Sequence, residues 1–258
     1  MAWKQWVKRA VRATGYTVER VPAHTAVYDQ DGLWTVHNHE FTSDPRFVAA
    51  YRRGVQASEG LEYLGPWRMH IGLWAASHAI RLDGAFVECG VNRGVMSSAI
   101  MHYLDWNTRN REFYLLDTFA GLDVSRLTDG ELARGAAAAN SEYLGTGRYV
   151  TGVESVRRNF SEWQNVRIVE GRIPATLSAV EAQKIAYLHL DLNATRPEVE
   201  ALEHFWPRLV PGAIVLLDDY AFDGYRESKL GMDAFARPRG IGIASLPTGQ
   251  GLIVKPPG

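Results

Sequence analysis

An alternation that sets in at residue 85 constrains this chain more than any other feature. Short apolar runs, most of them ending in an acid or a glycine, take turns with segments of helical period. "GAFVECG" reads as a buried strand and "GVMSSAIMHYLDW" as the helix that follows it. "EFYLLD", "NVRIVEG", "KIAYLHLD" and "GAIVLLDD" read as further strands, and "VESVRRNFSEW", "RPEVEALEHFWPRL" and "GYRESKLGMDAFAR" as helices. Strands that are apolar throughout are covered on both faces, and strands separated by helices pair in parallel. The expected fold is α/β, with a Rossmann-like, mostly parallel sheet. The last runs, "GIGIASLP" and "GQGLIVKP", are joined by a tight turn at Thr248-Gly249, which requires an antiparallel member at one edge.

Residues 1–83 read as a helical extension and residues 84–258 as the sheet domain. At helical period Trp3, Trp6, Val7, Ala10 and Val11 share a face, while Lys4, Lys8, Arg9 and Arg12 lie mostly opposite. Such a basic amphipathic helix suits a membrane surface, through residues 1–13, or packing on its own domain or a second subunit. Residues 14–43 look irregular; His37 and His39, two apart, are too few to make a metal site alone. Ser43-Asp44-Pro45 signals a helix start, and "GPWRMHIGLWAASHAIRL" reads as a second helix ending near Asp83-Gly84. Residues 118–150 are rich in Gly and Ala, weakly patterned, and long enough to suggest a lid or substrate loop.

Composition narrows the function classes. The net charge of −1 excludes nucleic-acid binding by the molecule's overall field. The single cysteine, Cys89, permits no disulfide framework and reads as a small core residue. No apolar run is long enough for a membrane span, and the N-terminus lacks the apolar core of a secretory signal, which directs the reading to the cytoplasm.

In an open parallel sheet, ligands bind beyond the C-terminal ends of the strands. The residues there are Glu88-Cys89-Gly90, Asp117, Glu170-Gly171, Asp191 and Asp218-Asp219. In "VECGVNRG", Gly90 and Gly94 allow a ligand close to the backbone, but Asn92 breaks the dinucleotide pattern G-x-G-x-x-G. Asp117 ends the next strand, where an acid accepts bonds from ribose hydroxyls. An acid upstream of the glycines disfavours pyrophosphate and suits a cationic ligand, so the set points to S-adenosylmethionine. Glu88, Gly90, Asn92, Gly94, Asp117 and Gly171 are the candidate cofactor residues. Asp191, Asp218 and Asp219 end two strands and would repel one another unless a hard divalent cation such as Mg²⁺ joined them. Otherwise Asp191 is a solvated strand end and Asp218-Asp219 caps a turn.

Together, "FVECGVNRG", "LLDTFAGLD", "VESVRRNF", "VEGRIPATL", "PRLVPGAIVLLDDY" and "GQGLIVKP" resemble the macrocin O-methyltransferase (TylF-type) family of class I S-adenosylmethionine-dependent methyltransferases. The resemblance runs from about residue 84 to the C-terminus. It implies a seven-stranded sheet, with Glu88, Gly90 and Gly94 around the methionine part of the cofactor and Asp117 on its ribose. It also implies Mg²⁺ on Asp191, Asp218 and Asp219, an acceptor hydroxyl on a sugar, glycan or other small molecule, and a homo-oligomer. One position departs from the pattern. Antibiotic-tailoring relatives carry Asp-Gly-Asp, the second Asp being the proposed base, where this chain has Asp191-Leu192-Asn193. An amide takes no proton at neutral pH. His189, on the same strand face as Asp191, is a candidate base, and Asn193 a candidate to orient the acceptor or ligate the metal. The competing readings are an NAD-dependent oxidoreductase and a degenerate S-adenosylmethionine-binding module.

Overall fold

A computed structural model describes residues 2–15, 26–63 and 65–257, which fall into two compact units, Met1–His39 and Glu40–Gly258. In the first, α1 (Ala2–Arg12) is the expected basic helix, with Arg9 and Arg12 in its last turn and Trp6 72% exposed. The stretch 14–43 is less irregular than its composition suggests, although residues 16–25 lie outside the described residues. β1 (Tyr28–Gln30) and β2 (Leu33–Thr35) form an antiparallel hairpin. Its turn is Asp31-Gly32, both left-handed at φ 52° and 71°, the dipeptide that a two-residue hairpin turn favours.

The second unit begins with two helices. α2 (Pro45–Gln56) is capped by Asp44, whose carboxylate accepts the Arg46 and Phe47 N–H groups at 2.8 and 2.9 Å, with Pro45 at the first helical position. α3 (Pro66–Ala79) follows, with Met69, Leu73, Ala75 and Ala76 buried. Then come β3 (Ala85–Cys89), α4 (Val95–Tyr103), β4 (Phe113–Asp117), α5 (Asp129–Ala133), α6 (Ala136–Gly145), α7 (Glu154–Phe160) and β5 (Val166–Glu170). β6 (Ile185–Leu190), α8 (Thr195–Phe205), β7 (Leu209–Leu217), α9 (Arg226–Ala236), β8 (Ala244–Ser245) and β9 (Gly251–Val254) complete the chain. α2 and α3 pack against α4, and α3 also against β7, which is why the compact unit starts at Glu40 rather than at the first strand.

The strands form one seven-stranded sheet in the order β5-β4-β3-β6-β7-β9-β8. The first five are parallel. β9 is antiparallel and is inserted between β7 and the two-residue β8, so the antiparallel member lies one place in from the edge. Phe86, Leu115, Tyr187 and Leu216 face one core, with α2, α3 and α4. Val87, Cys89, Leu116, Leu188 and Val215 face the other, with α8 and α9. The chain runs outward through β3, β4 and β5, then restarts on the other side of β3 with β6 and β7. The order therefore reverses between β3 and β6, and the crevice beyond their C-terminal ends is where ligands bind in sheets of this kind. Among the described residues, no helix is long and apolar enough to cross a membrane.

Residues 118–150 depart from the expected open loop. They contain α5 and α6, and α5 starts with a capping box between Thr128 and Glu131. Helices this short leave little apolar periodicity to read, so the low-contrast composition concealed them.

Candidate active site

A cleft of about 110 Å³ opens at the switch point. Its walls include Gly90, Asn92, Asp117, Gly171, Asp191 and Asn193 among the expected residues. Glu88, Gly94, His189, Asp218 and Asp219 do not line it.

The turn after β3 is built for close approach. Gly90 has φ 91°, and a Cβ there would lie 1.8 Å from the Asp191 carbonyl oxygen, so the exits of β3 and β6 touch only because this residue is glycine. The Asn92 N–H donates to Asp117 Oδ2 and the Phe119 N–H to Oδ1, both at 2.7 Å. Burial pushes the Asp117 carboxyl up, and these backbone bonds oppose the shift without cancelling it. The Asn92 side chain serves the structure, since Nδ2 donates to the Arg148 carbonyl at 3.0 Å and Oδ1 accepts the Val150 N–H at 2.8 Å. It thereby closes the 118–150 segment onto the β3–α4 turn. Gly94 (φ 83°) precedes α4, and a Cβ there would strike the Phe160 ring, so its role is packing.

Beyond β6 and β7 lies a cluster of carboxylates. Strand register sets Glu88 beside His189, and both are buried. His189 Nδ1 is 3.2 Å from Glu88 Oε1, and Nε2 is 3.6 Å from Asp218 Oδ1. Burial alone would lower the imidazole pKa; Asp218 and Glu88 outweigh it and push the group up to about 10. In this arrangement His189 keeps its proton at neutral pH and serves as a cation between two acids.

Asp218 and Asp219 receive a second cation from α3. Arg68 Nη2 donates to the Asp218 carbonyl at 2.9 Å, to Asp218 Oδ2, and to Asp219 Oδ1 at 3.2 Å. Gln250 Nε2 donates to Asp218 Oδ1 at 3.0 Å. Burial would raise Asp218, but Arg68 and His189 overcome it and hold the carboxyl well below its usual range. Asp219, buried beside Asp218 and less fully compensated, is pushed up to about 6. Asp191 is pushed well up by burial and by the charges of Asp218 and Asp219. Of the described residues, His189, Asp191 and Asp218 offer ligand atoms that all lie within 4.8 Å of one another; Asp219 is not in that set.

Asn193 bridges this cluster to the cleft wall. In the left-handed region at φ 54°, it donates from Nδ2 to Asp191 Oδ1 at 2.9 Å and accepts the Tyr225 hydroxyl on Oδ1 at 2.5 Å. A carboxylate at this position could not donate to Asp191. The departure from Asp to Asn therefore turns a like-charge neighbour into a tether.

The middle of the 118–150 segment is fixed to α8. Glu131, fully buried, accepts the Thr195 N–H and hydroxyl, each at 2.7 Å, and the Thr128 N–H at 2.7 Å. Asn140 Oδ1 accepts the Leu122 N–H at 2.8 Å. The segment supplies Thr118, Leu122, Tyr149 and Val150 to the cleft. It is thus a pinned wall.

Sequence reasoning did not single out Arg68, Tyr149, Tyr225, Gln250 or Glu131. Arg68 carried one signal, the single permanent charge in the mostly apolar "PWRMHIGLW". Glu131 carried the capping-box spacing Thr128-x-x-Glu131; the rest carried none, since the partners that place them at the site come from distant parts of the chain.

Comparison with known proteins returns one family model, "Macrocin-O-methyltransferase (TylF)", matched over residues 57–242. A mycinamicin III 3''-O-methyltransferase of Micromonospora griseorubida is 28% identical over 154 residues, 57% of this chain and 59% of that protein, so the match spans little more than half of this relative. An 8-demethyl-8-(2,3-dimethoxy-alpha-L-rhamnosyl)-tetracenomycin-C 4'-O-methyltransferase of Streptomyces olivaceus is 29% identical over 208 residues, 75% of this chain and 74% of that one. Among solved structures, the O-methyltransferase NovP superposes with a TM-score of 0.63 at 21% identity, over 74% of this chain and 80% of its own. A calicheamicin methyltransferase does so at 0.53 and 17%, over 85% and 94%. At these identities the solved structures speak to the fold alone.

Proposed function

This chain belongs to the macrocin-O-methyltransferase (TylF) family, and from that premise we propose that it is an S-adenosylmethionine-dependent O-methyltransferase acting on a sugar hydroxyl of a small-molecule natural product. One observation carries the reading: Asp117 and Asp191 line a single cleft at the switch point, one on each side of the reversal. The two relatives whose names specify sugar positions support the acceptor class.

The residues fit the cofactor. Asp117 Oδ2 accepts the Asn92 N–H, and Oδ1 accepts the Phe119 N–H and, at 3.4 Å, the Thr118 hydroxyl; the remaining lone pairs can take ribose hydroxyls, while Leu122, Val150 and Ile173 offer apolar walls for adenine. When bound, S-adenosylmethionine supplies an electrophilic methyl group on a sulfonium. The chain's part is to align an acceptor oxygen and exclude water. Asn193 holds Asp191 in one rotamer through Oδ1. Asp191, which lines the cleft and is tethered by Asn193, is the carboxylate placed to accept the hydroxyl proton. Glu88 and His189 lie behind it, with His189 between Glu88 and Asp218.

The donor set also fits a divalent cation such as Mg²⁺. Four carboxyl groups, Glu88, Asp191, Asp218 and Asp219, gather around two basic side chains, His189 and Arg68, and burial with the charges of Asp218 and Asp219 pushes Asp191 up. Asp191 and Asp218 would hold the ion, with Asp219 adjacent, and His189 would join them through Nε2 only on giving up its proton. Such an ion lowers the pKa of a bound hydroxyl.

The test is transfer of labelled methyl from S-adenosylmethionine to mycinamicin III and to a rhamnosylated tetracenomycin by the full chain. Label in a sugar methoxy group is the expected result. Tight cofactor binding with no transfer to any sugar would contradict the acceptor class. The basic helix α1, with Trp6 exposed, supports peripheral contact with anionic membranes. Co-sedimentation with phosphatidylserine vesicles, with and without residues 1–13, checks it; equal pelleting would exclude that role.

A further inference from the structure

The arginine in the acidic cluster belongs to no part of the reaction described so far. Arg68 is the third residue of α3, and its side chain is only 12% exposed. It bonds both carboxylates of the Asp218-Asp219 pair and the Asp218 main-chain carbonyl. A guanidinium cannot shed its proton, so this is a fixed positive charge inside a group of acids. It stands 150 and 151 residues away in sequence from the two acids it neutralises.

The oxygens that Arg68 uses are those a metal ion needs. Asp218 Oδ2 is taken by Arg68, and Oδ1 accepts Gln250 and faces His189 Nε2 at 3.6 Å. Asp219 Oδ1 is also taken by Arg68. Every Asp218 oxygen therefore already faces a protein donor, although Asp218 is one of the three residues whose atoms converge closely enough to ligate an ion. A divalent cation and a guanidinium cannot share one carboxylate edge, because they repel at that separation and compete for the same lone pairs.

We propose that Arg68 is a built-in counter-cation of the acidic cluster that competes with divalent metal: an ion gains Asp218 only when Arg68 leaves it. The cluster is folded and neutralised with Arg68 in place, and metal exchanges for the arginine instead of adding to it. Metal affinity is then set by how tightly α3 holds Arg68 against the β7 exit, so this helix controls access to the metal site. The inference rests on the metal reading above, and the experiment separates the two.

The probe is Mn²⁺ alone, titrated into the full chain and followed by the loss of its free-ion paramagnetic resonance signal. Wild type is compared with Arg68→Met, which removes the charge at similar length, and with Arg68→Lys, which keeps one charge but cannot span both carboxylates. The expected result is at least ten-fold tighter Mn²⁺ binding by Arg68→Met, with Arg68→Lys between it and wild type. Thermal melts should show Mn²⁺ raising the Tm of Arg68→Met more than that of wild type. Binding by Arg68→Met alone supports the competition and ends the metal reading for the wild-type chain. Equal affinity in wild type and Arg68→Met overturns the competition and leaves the metal reading standing. No binding by any of the three overturns both.

Discussion

The two halves of the cleft solve the same problem, a carboxylate at a strand end, by different means. On the β3–β4 side, Asp117 is held by N–H groups of Asn92 and Phe119, residues that belong to the turns beside it. On the β6–β7 side, Asp218 is held by Arg68, His189 and Gln250, side chains from α3, β6 and the last turn before β9. Backbone donors are fixed once the turn forms. Side-chain donors are brought by tertiary packing and can be exchanged for another cation. On the proposed reading, the first half is a rigid seat for the cofactor and the second a charge cluster whose counter-cation exchanges.

The sharpest way to break this contrast is to remove the imported cation. Arg68→Met leaves Asp218 and Asp219 buried with one cation fewer, and loss of one partner from such a pair costs about 3–5 kcal/mol. Urea denaturation in EDTA should show that loss. A cost below about 1 kcal/mol would mean the guanidinium does not compensate the cluster.

The next effect concerns acidity. Glu198 on α8 is pushed up from 4.5 to about 8 by burial and by the charge of Asp219. A carboxyl raised on folding holds its proton more tightly in the folded chain. Its contribution to stability is therefore complete below about pH 4.5 and is lost as the pH climbs towards 8. Glu198→Gln should remove about 2 kcal/mol of the stability lost between about pH 5 and pH 7. Urea melts at the two pH values, in EDTA, measure it, and an unchanged slope would place the titration elsewhere.

A smaller effect tests the tether. Asn193→Ala deletes the bonds to Asp191 and Tyr225, which should lower turnover by about ten-fold, roughly 1.4 kcal/mol, with cofactor affinity unchanged. Asn193→Asp places a like charge beside Asp191 and should lower it further. Turnover equal to wild type in both would show that Asn193 does not position the base.

The same contrast explains what the sequence made legible. Alternating apolar runs located the parallel strands of the sheet, because β3 and β6 are buried on both faces and cannot hide their composition. The seat around Gly90, Asn92 and Asp117 was readable because its partners lie within two turns joined by one helix. The counter-cations were not, since nothing near Asp218 in sequence announces Arg68. Glu88 was expected beside the cofactor, but strand alternation turns it from the cleft towards His189 on the α2–α4 face. Residues 118–150 were opaque for another reason: a capping box and single buried polar groups such as Glu131 and Asn140 fix a segment without apolar periodicity.

The division between cofactor seat and charge cluster is tested most directly by titrating S-adenosylmethionine calorimetrically into wild type, Asp117→Ala and Asp219→Asn. Loss of two charge-assisted hydrogen bonds to ribose should weaken binding by Asp117→Ala at least about 100-fold, while Asp219→Asn stays within about two-fold of wild type. Wild-type affinity in Asp117→Ala, or equal losses in both variants, would contradict it.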